Sequence, residues 1–440
     1  MTRFSRASLC FAAGLSLMSA ASLRGQDTTY RGIKLNGAYD PSHDRVSIVV
    51  LPVAGAFGDS VRAIIQRDLD FSDRFTVIPI DSADPNALRG DGPAAGLAYQ
   101  VFARLNASAV VQITPVAAGL HVVLHDVASS AVVNVKDFTL PASGLNRDWR
   151  LSIHQISDEV ERWVTQQRGI ASTRIAYVRG QNIRIVDSDG ASEITVPTED
   201  CGVSPAWSPN GLTLAYATCG ADSRIYIMDL PTGRSHSLIG PVRNTIFITP
   251  SFSPDGSSIV YSRQGEDQAD LYLSRVAGGE APRRLTTARG VLNTNAMFSP
   301  DGRRIVYVSS ALGHPELYII DADGTNANVL TDYETDDKNY RSDPDWSPDG
   351  RTVAYQERTN GNFQVRTIRV TGSTRKYLTS EGENEQPSWA PDARHIIFTS
   401  TRTGVRQLWI LDSESGKMRQ LTKSGGSRLA AWSPRIAAQP

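Results

Sequence analysis

A short motif recurs six times from residue 205 onward, and it constrains the fold more than any other feature of the chain. Each copy has an aromatic residue followed by Ser-Pro or Ala-Pro, and four copies continue into Asn-Gly or Asp-Gly. The aromatic residues are Trp207, Phe252, Phe298, Trp346, Trp389 and Trp432. They are spaced 43 to 48 residues apart, which is the length of a four-stranded propeller blade. The repeat therefore predicts a β-propeller.

The Ser-Pro-Asp-Gly part of the motif predicts a tight turn between two strands. Proline fixes φ near −65°, and glycine adopts a positive φ without a steric penalty. An alternating apolar strand follows each turn, and a second one follows a variable loop, as at residues 305–309 and 317–321. A glycine-bearing hairpin then leads to a short fourth strand. Each repeat is expected to form one blade, in which the turn aspartates have a structural role.

The two ends of the repeat array complement each other. Residues from Thr173 onward supply three strands without an aromatic first strand, whereas the final AAWSP supplies a first strand with no blade behind it. Pairing the two fragments would close the ring and remove the open sheet edges of a linear array. The expected fold is mainly β, with a six-bladed β-propeller over residues 171–434 and a short tail over 435–440.

In residues 44–170, short apolar runs alternate with segments of helical apolar spacing. This pattern predicts a smaller α/β domain that precedes the propeller in the sequence. Apolar strands are expected at VSIVVLP, FTVIPI, SAVVQITPV and GLHVVLHDVA. Helical spacing of apolar residues predicts helices over 59–69, 94–105 and 148–167. Strands and helices in such an order pack as layers around one core.

The first 25 residues resemble an export signal. Arg3 and Arg6 precede an apolar stretch and then a run of small residues. The apolar stretch is shorter than the roughly 20 residues that span a bilayer. A periplasmic protein without membrane insertion is therefore expected, and residues 26–43 are expected to form an extended arm. The formal net charge of −1 excludes a strong electrostatic field for nucleic acid.

Export would leave two cysteines, Cys201 and Cys219, in an oxidising compartment. Cys201 precedes a first strand and Cys219 follows a second strand. Pairing outward from the turn at 208–211 brings residue 201 opposite residue 218. A disulfide between the two is geometrically plausible, and two free buried thiols are the alternative.

A search for catalytic and metal-binding patterns predicts no catalytic residue, no metal site and no cofactor. The chain has no Gly-x-Ser-x-Gly elbow and no glycine-rich phosphate loop. His121 and His125 have a metal-ligand spacing only on a helix, but the local pattern indicates a strand, so surface histidines are expected. Calcium in the acidic loop 332–337, or in the central channel, remains an alternative.

Loops that precede the first strands emerge at one end of the ring, opposite the Ser-Pro-Asp-Gly turns. They mix amides, hydroxyls and apolar groups, as at RNTIFIT, VLNTN and ENEQ. Such a composition is typical of a polar-rimmed protein contact. Solvated loops without a partner are the simpler alternative.

These motifs together resemble the TolB family of Tol-Pal propeller proteins. The residues that carry the resemblance are ISDEVERWVTQQRGIASTRIAYV over 156–178, SAVVQITPV, the W-S-P-D-G blades and the closing AAWSP. The family implies a non-enzymatic, monomeric periplasmic scaffold that supports outer-membrane integrity and cell division. It also implies that the propeller face binds the peptidoglycan-associated lipoprotein Pal and that the N-terminal arm binds TolA.

The resemblance also implies positions for the two binding sites. In the arm, the apolar contacts would be Ile33 and Leu35. On the propeller face, the contacts with Pal would be Asn244, Thr245, Asn293, Thr294, Tyr340, Arg341, Asn384 and Glu385. The arm sequence RGIKLNGAYD and the loop RNTIFITPS depart from the family pattern. A calcium-dependent lactonase or hydrolase, and a propeller that captures a small ligand, are the competing functions.

Overall fold

The computed structural model describes residues 29–30, 33–34, 45–80, 88, 96–142, 144–220, 222–331, 340–372 and 374–437. The predicted export signal, Leu35 of the arm and the acidic loop 332–337 lie outside these residues. Of Ile33, only its place in a short strand is described.

The described part of the chain contains two short strands, an α/β unit and a ring of six four-stranded sheets. The two short strands pair antiparallel and are β1 (Thr29–Tyr30) and β2 (Ile33–Lys34). The elements of the α/β unit are β3 (Val46–Val50), α1 (Gly58–Phe71), β4 (Phe75–Val77), α2 (Tyr99–Arg104), β5 (Ala109–Val116), β6 (Gly119–Asp126), β7 (Ala131–Thr139) and α3 (Arg147–Thr165).

Five of the six sheets use consecutive strands, and each of them is one blade. Blade 1 contains β11 (Gly202–Trp207), β12 (Thr213–Thr218), β13 (Ile225–Asp229) and β14 (Arg234–Ile239). Blade 2 contains β15 (Ile246–Phe252), β16 (Ser258–Gln264), β17 (Ala269–Arg275) and β18 (Arg283–Arg284). Blade 3 contains β19 (Asn293–Phe298), β20 (Arg304–Ser309), β21 (Glu316–Asp321) and β22 (Asn328–Val329). Blade 4 contains β23 (Arg341–Trp346), β24 (Thr352–Thr359), β25 (Asn362–Arg369) and β26 (Arg375–Tyr377). Blade 5 contains β27 (Asn384–Trp389), β28 (His395–Ser400), β29 (Gln407–Asp412) and β30 (Met418–Gln420).

The sixth sheet joins the two ends of the array. Its strands are β8 (Arg174–Arg179), β9 (Asn182–Asp187), β10 (Ile194–Thr195) and β31 (Ser427–Trp432). Strand β31 pairs antiparallel with β8, so that Trp432 lies opposite Ile175. We call this sheet the closing blade. The predicted six-bladed ring, and its closure by the C-terminal strand, are confirmed.

The α/β unit is a five-stranded sheet with helices on both faces. Its strand order is β4-β3-β5-β6-β7, with parallel pairing of β3 to β4 and β5 and antiparallel pairing from β5 to β7. Because side chains alternate along a strand, Ile48 and Val50 pack with α1 and α3, whereas Val49 packs with Phe102 of α2 on the other face. Edge strand β7 is an element that the apolar pattern did not predict.

Helix α3 begins with a side-chain cap and connects the two parts of the chain. The side chain of Asn146 accepts a hydrogen bond from the backbone N–H of Trp149 at 2.8 Å. The helix ends at Gln166, whose φ of 62° turns the chain toward the ring. The apolar face of α3 packs against α1 and the sheet.

The turns of blades 2, 3 and 4 are each held by their own serine and aspartate, as the repeat predicts. In blade 2, the hydroxyl of Ser253 donates to Asp255 Oδ1 at 2.5 Å, and the backbone N–H of Ser257 donates to the same oxygen at 3.0 Å. Gly256 has a φ of 71°, a conformation that glycine adopts without strain. The turn aspartates therefore serve the turn itself.

Every first strand of a blade also contains a β-bulge, which the sequence did not predict. The pairing slips by one residue three positions before the repeat's aromatic residue, for example between Val203 and Ala206. The bulged residues all have φ between 49° and 56°. They are Ser204, Thr249, Asn295, Asp343, Gln386 and Leu429. The bulges bring six non-glycine residues into the left-handed region at the same level of the ring.

The α/β unit packs on one end of the ring. We call this end the turn face, because it carries the Ser-Pro-Asp-Gly turns and the hairpins between third and fourth strands. Asp73, after α1, lies 3.4 Å from His395, which follows the turn of blade 5. Arg150 of α3 forms a 2.6 Å ion pair with Asp189 of the hairpin between β9 and β10. The opposite end, which we call the loop face, carries the loops before the first strands and after the second strands.

Candidate binding face

Four of the eight predicted contact residues are accessible on the loop face. Asn244 donates a hydrogen bond to Glu266 at 3.2 Å and is exposed. Tyr340 is exposed, and its ring packs edge-on against Phe363 with the centroids 5.6 Å apart. Thr294 is half-buried in β19. These side chains, on three neighbouring blades, can be reached by a partner without rearrangement.

Glu385 is the fourth accessible residue, and it is already paired. Its Oε2 accepts a hydrogen bond from Nε of Arg406 at 3.2 Å. The arginine is half-exposed, whereas the glutamate is largely covered. A partner would therefore contact this ion pair mainly through Arg406.

Arg341 is buried, contrary to the expectation that it contacts a partner. Its side chain is 1% exposed, and its Nε lies 2.7 Å from Glu357 Oε1. A second ion pair joins its Nη1 to Glu316 at 2.5 Å. These carboxylates come from two blades, so Arg341 joins blades 3 and 4. A buried guanidinium must be paired in this way, because an unpaired buried charge is strongly destabilising.

Asn384 is also buried, within a hydrogen-bond network of blades 4 and 5. Its Nδ2 donates to Gln364 Oε1 at 2.9 Å, and its Oδ1 accepts from the hydroxyl of Ser400 at 2.8 Å. Asn293 repeats the second of these contacts in blade 3, where its Oδ1 accepts from the hydroxyl of Ser309 at 2.8 Å. Buried amides satisfied from both ends have a structural role.

Thr245 is the fourth buried residue of the predicted set. Its hydroxyl donates to the carbonyl of Arg243 at 3.3 Å. The predicted set therefore divides into four accessible residues and four that hold the loops in place. A sequence pattern identifies the loop, but it does not show which of its side chains point inward.

Exposed apolar side chains form a rim on the same face, and of these the sequence analysis named only Tyr340 as a contact residue. They lie in or directly beside the loops of blades 2, 3, 4 and 5, and each is 37–52% exposed. They are Val242, Ile246, Leu292, Leu312, Tyr340 and Val405. Apolar groups that share one face with polar loops are typical of a protein-binding surface.

Cys201 and Cys219 form a disulfide at the edge of the loop face. Their Cα atoms are 5.5 Å apart, and the bond closes the loop that contains β11 and β12. The register places Gly202 opposite Thr218. The two cysteines therefore face each other, one residue away from the predicted pairing. The turn is two residues longer than predicted, because Ser208 pairs with Thr213, and the bulge in β11 offsets one of these two residues.

A cavity of about 410 Å³ lies in the central channel. Its walls run from the six bulged residues to the prolines of the blade turns. Asp343 lines it together with Asn295, whose Nδ2 donates to Asp343 Oδ1 at 2.7 Å. Burial, together with the negative charge of Glu385, raises the pKa of Asp343 to about 6. The hydrogen bond from the hydroxyl of Ser342 lowers this pKa and offsets part of the increase.

Asp345, which also lines this cavity, holds two blades together. Its Oδ2 accepts a hydrogen bond from the backbone N–H of Trp389 in blade 5 at 2.5 Å. Burial raises the pKa of Asp345 to about 7, in spite of the hydrogen bonds that it accepts from Trp389 and Ser388. Asp345, which directly precedes the repeat's aromatic residue Trp346, therefore links blade 4 to blade 5.

Two groups of described residues have the composition of a metal site. They are Asp68 with His154 and Asp189, and Asp73 with His395 and Asp412. Asp189, Asp412 and Asp73 are paired with arginine or lysine side chains, and Asp68 is paired with His154. We therefore interpret both groups as ion-pair clusters and not as metal ligands.

His121 and His125 differ in their surroundings. His121 pairs with Asp137 at 2.6 Å on the surface. His125 is buried, which differs from the expectation of a surface histidine, because Tyr99 of α2 covers it at 2.9 Å. Burial lowers the pKa of His125. The two imidazoles therefore belong to separate contacts.

Among the described residues, no helix combines the length and the apolar composition that are needed to cross a membrane.

Comparisons with known proteins identify relatives of the chain. A family model described as the TolB beta propeller domain matches residues 161–436. The Tol-Pal system protein TolB of Polaromonas sp. (strain JS666 / ATCC BAA-500) is 32% identical over 211 residues, which are 44% of this chain and 47% of that protein. The protein of the same name from Gluconobacter oxydans (strain 621H) is 27% identical over 258 residues, which are 55% of this chain and 53% of that protein. The chain spans about half the length of the curated relatives it matches.

A solved structure extends the likeness to the α/β unit. The crystal structure of TolB from Acinetobacter baumannii has a TM-score of 0.76 and 24% sequence identity, and the match covers 90% of this chain and 98% of that chain. At this level of identity, the match shows a common fold of both parts.

Proposed function

Because the chain belongs to the TolB propeller family, we propose that it is a non-enzymatic periplasmic scaffold of the Tol-Pal system. In this proposal, the loop face binds the peptidoglycan-associated lipoprotein Pal, and the arm over residues 26–43 binds TolA. The scaffold would support outer-membrane integrity and cell division.

The observation that carries the proposal is the accessible, partly apolar loop face. The described part of the α/β unit contacts the turn face and does not cover the opposite end of the ring. Apolar residues such as Ile246 and Leu292 lie there beside polar loops. Interfaces commonly combine an apolar centre with a polar rim. This arrangement favours a macromolecular partner over a small ligand.

The accessible residues define the proposed contact more narrowly than the sequence did. We propose that Asn244, Thr294 and Tyr340, with the ion pair of Glu385 and Arg406, contact Pal directly. The apolar rim supplies the buried centre of the contact. Arg341, Asn384, Asn293 and Thr245 instead fix the shapes of the loops. The assignment of Ile33 and Leu35 to TolA stays a proposal that rests on the family resemblance.

The proposal is tested by a pull-down from solubilised cell envelope. The bait is the chain from Gln26, and the comparison is a shorter bait that begins at Asp40. Recovery of Pal by both baits, and of TolA by the longer bait alone, would support both sites. Recovery of neither protein, with both baits folded by circular dichroism, would contradict the scaffold function.

A matched pair of variants separates the loop face from the rest of the surface. Leu292→Asp introduces a charge into the apolar rim, whereas Val135→Asp introduces the same charge into an exposed position of β7. We expect the first variant to lose Pal and the second to retain it. Equal retention of Pal by both variants would exclude the loop face as the contact.

A further inference from the structure

Two buried histidines lie at the junction between the α/β unit and the turn face. His154 is in α3, and His395 begins β28 of blade 5. Both side chains are only 1% exposed. Neither residue has a part in the proposed binding of Pal or TolA, so their environment requires a separate explanation.

His395 lies between two carboxylates from different parts of the molecule. Its Nδ1 is 2.6 Å from Oδ2 of Asp392, which belongs to the turn of its own blade. Its Nε2 is 3.4 Å from Oδ2 of Asp73, which follows α1. The ring therefore connects the propeller to the α/β unit.

His154 has the reverse arrangement. Its Nδ1 is 2.8 Å from Oδ2 of Asp68 in α1, within the α/β unit. Its Nε2 is 3.9 Å from Oδ2 of Asp189, in the closing blade. Here the histidine comes from the α/β unit and the distant carboxylate comes from the propeller.

An imidazole with a carboxylate at each nitrogen is stabilised in its charged form. A neutral ring carries one N–H, so its second nitrogen would direct a lone pair toward a negatively charged oxygen. The imidazolium has two N–H groups and can donate toward both carboxylates. At His395, protonation therefore favours contact between the two parts of the chain through hydrogen bonds. At His154, where Nε2 lies 3.5 Å from Arg150 and 3.9 Å from Asp189, it does so through the charge of Asp189 and not through a hydrogen bond.

We propose that the junction between the α/β unit and the propeller is proton-linked, with His154 and His395 as two imidazolium bridges that release the α/β unit when they lose their protons. The device is symmetrical in the sense that each part of the molecule supplies one histidine. Its consequence is a junction that is closed at neutral pH and opens at alkaline pH.

The charges around His395 determine how strongly the proton is held. Burial disfavours the imidazolium, but the charge of Asp392 and the hydrogen bonds to Asp392 and Asp73 outweigh it and raise the pKa of His395 to about 9. Asp412 of β29 adds to this effect. On the other side, the buried Glu161 of α3 interacts with the same ring.

Cations around these carboxylates limit the excess of negative charge. Lys417 lies 2.8 Å and Arg45 lies 3.2 Å from Asp73 Oδ1. Arg394 pairs with Asp412 at 2.6 Å and with the exposed Glu414 at 3.3 Å. Among the described residues, Asp392 forms no ion pair with lysine or arginine, although the charge of Arg394 also acts on it. The proton on His395 is therefore its main counter-charge.

His154 is in a comparable but more cationic environment. Burial opposes its charged form, but Asp68, Asp189 and Asp187 together raise its pKa. Arg150 lies 3.5 Å from His154 Nε2, and both Arg150 and Arg67 pair with Asp189. Arg419 is a third arginine near this ring, and its charge interacts with Asp68 and Asp189.

The sequence of blade 5 provides independent support, because its turn departs from the repeat where it meets the α/β unit. The other turns have a serine that bonds the turn aspartate or asparagine, as Ser253 does in blade 2. Blade 5 has Ala390 at that position, and the free oxygen of Asp392 bonds His395 instead. In blade 5, the hydrogen bond between serine and aspartate within the turn is thus replaced by one between Asp392 and the junction residue His395.

The direction of the pH effect follows from the raised pKa of His395. A histidine whose pKa is higher in the closed state stabilises that state fully below the ordinary value of about 6.5. The stabilisation is lost as pH rises through about 9. Opening is therefore expected between pH 7 and pH 10, and not on acidification over the range from pH 7 to pH 5.

The test measures the distance between the two parts by pulsed electron paramagnetic resonance. Spin labels are attached to the full chain at Ala63→Cys, on the exposed side of α1, and at Ala277→Cys, on the turn face of blade 2. Cys10→Ser removes the remaining free thiol. We expect one distance at pH 7 and a second, longer population that becomes the larger one by pH 10, with unchanged far-ultraviolet circular dichroism.

Two variants separate the bridge from a general effect of alkali. His395→Gln keeps a hydrogen-bonding side chain but cannot carry the charge, so the longer distance should already be present at pH 7. His236→Gln changes an exposed histidine of β14 and should behave as the parent chain. An unchanged distance between pH 7 and pH 10 in the parent chain would overturn the proposal. Loss of secondary structure together with the change in distance would overturn it as well.

Discussion

The indole Nε1 of Trp432 donates a hydrogen bond to Oγ1 of Thr173 at 2.8 Å, across 259 residues of sequence. Trp432 ends the last strand of the chain, and Thr173 precedes the first strand of the propeller. The indole also packs among buried residues of the closing blade and of blade 5. One side chain thus contributes both a polar and an apolar contact to the closure of the ring.

Trp432→Ala should therefore be strongly destabilising. Truncation of a buried tryptophan typically lowers the free energy of unfolding by about 3–5 kcal/mol, because it removes apolar contacts and leaves a cavity. Trp409→Ala is the matched control, since Trp409 is only half-buried and should be less destabilising. Urea unfolding followed by circular dichroism measures both. A loss below about 1 kcal/mol for Trp432→Ala would show that the closure does not depend on this side chain.

The repeat allowed most of the ring to be predicted, because each blade has its own turn and its own alternating strands. The strands predicted at residues 305–309 and 317–321 differ from β20 and β21 by one residue each. The bulges were not predicted. They place non-glycine residues such as Asp343 in a left-handed conformation, and no local residue preference indicates this.

The candidate site was predicted less well, for a physical reason. Whether a loop side chain is exposed depends on residues far away in sequence, as Arg341 shows through its contact with Glu316 of the preceding blade. The junction could have been found from the sequence, since Ala390 and His395 depart from the repeat in the turn of blade 5. The position of Asp73 beside that turn required the structure.

Asp345→Asn is expected to change how stability depends on pH. The pKa of Asp345 is about 7 in the folded chain, against an ordinary value of 3.8. Between pH 3.8 and about pH 7, Asp345 is protonated in the folded chain but ionised in the unfolded chain. The contribution of Asp345 to the free energy of unfolding therefore falls as pH rises through this range. The slope for one proton is about 1.4 kcal/mol per pH unit.

Asparagine cannot ionise, so the variant should lack this contribution. Its stability relative to the parent chain is expected to increase from pH 4 to pH 7 and to level off above that range. Urea unfolding at several pH values measures the difference. Asp301→Asn, in an exposed turn, serves as the control and should show a constant difference from pH 5 to pH 8. A constant difference for Asp345→Asn would contradict the raised pKa.

Removal of the disulfide should destabilise the chain without altering the propeller. The bond between Cys201 and Cys219 closes a loop with a sequence separation of 18 residues. For a loop of this size, the restriction of the unfolded chain is worth about 3 kcal/mol. The double variant Cys201→Ser with Cys219→Ser should therefore unfold at lower urea concentration. Peptide mapping under non-reducing conditions verifies the bond in the parent chain, and equal unfolding midpoints would contradict its stabilising role.

Tyr340→Ala should weaken the binding of Pal without destabilising the chain, whereas Asn384→Ala should have the opposite effect. Tyr340 is exposed on the loop face, and tyrosine is among the residues whose truncation most often reduces affinity at an interface. We expect about a tenfold loss of affinity, measured by calorimetry with purified Pal. Asn384→Ala leaves the buried partners of the amide unsatisfied, so a loss of about 1–3 kcal/mol in stability is expected.

The control for the first variant is Tyr377→Ala, because Tyr377 is exposed on the outer strand β26, away from the loop face. It should leave the affinity for Pal unchanged. If Tyr377→Ala and Tyr340→Ala reduce the affinity equally, the loop face has no special part in binding. If Tyr340→Ala lowers the thermal midpoint as much as Asn384→Ala does, the tyrosine is a structural residue and its assignment to the contact is wrong.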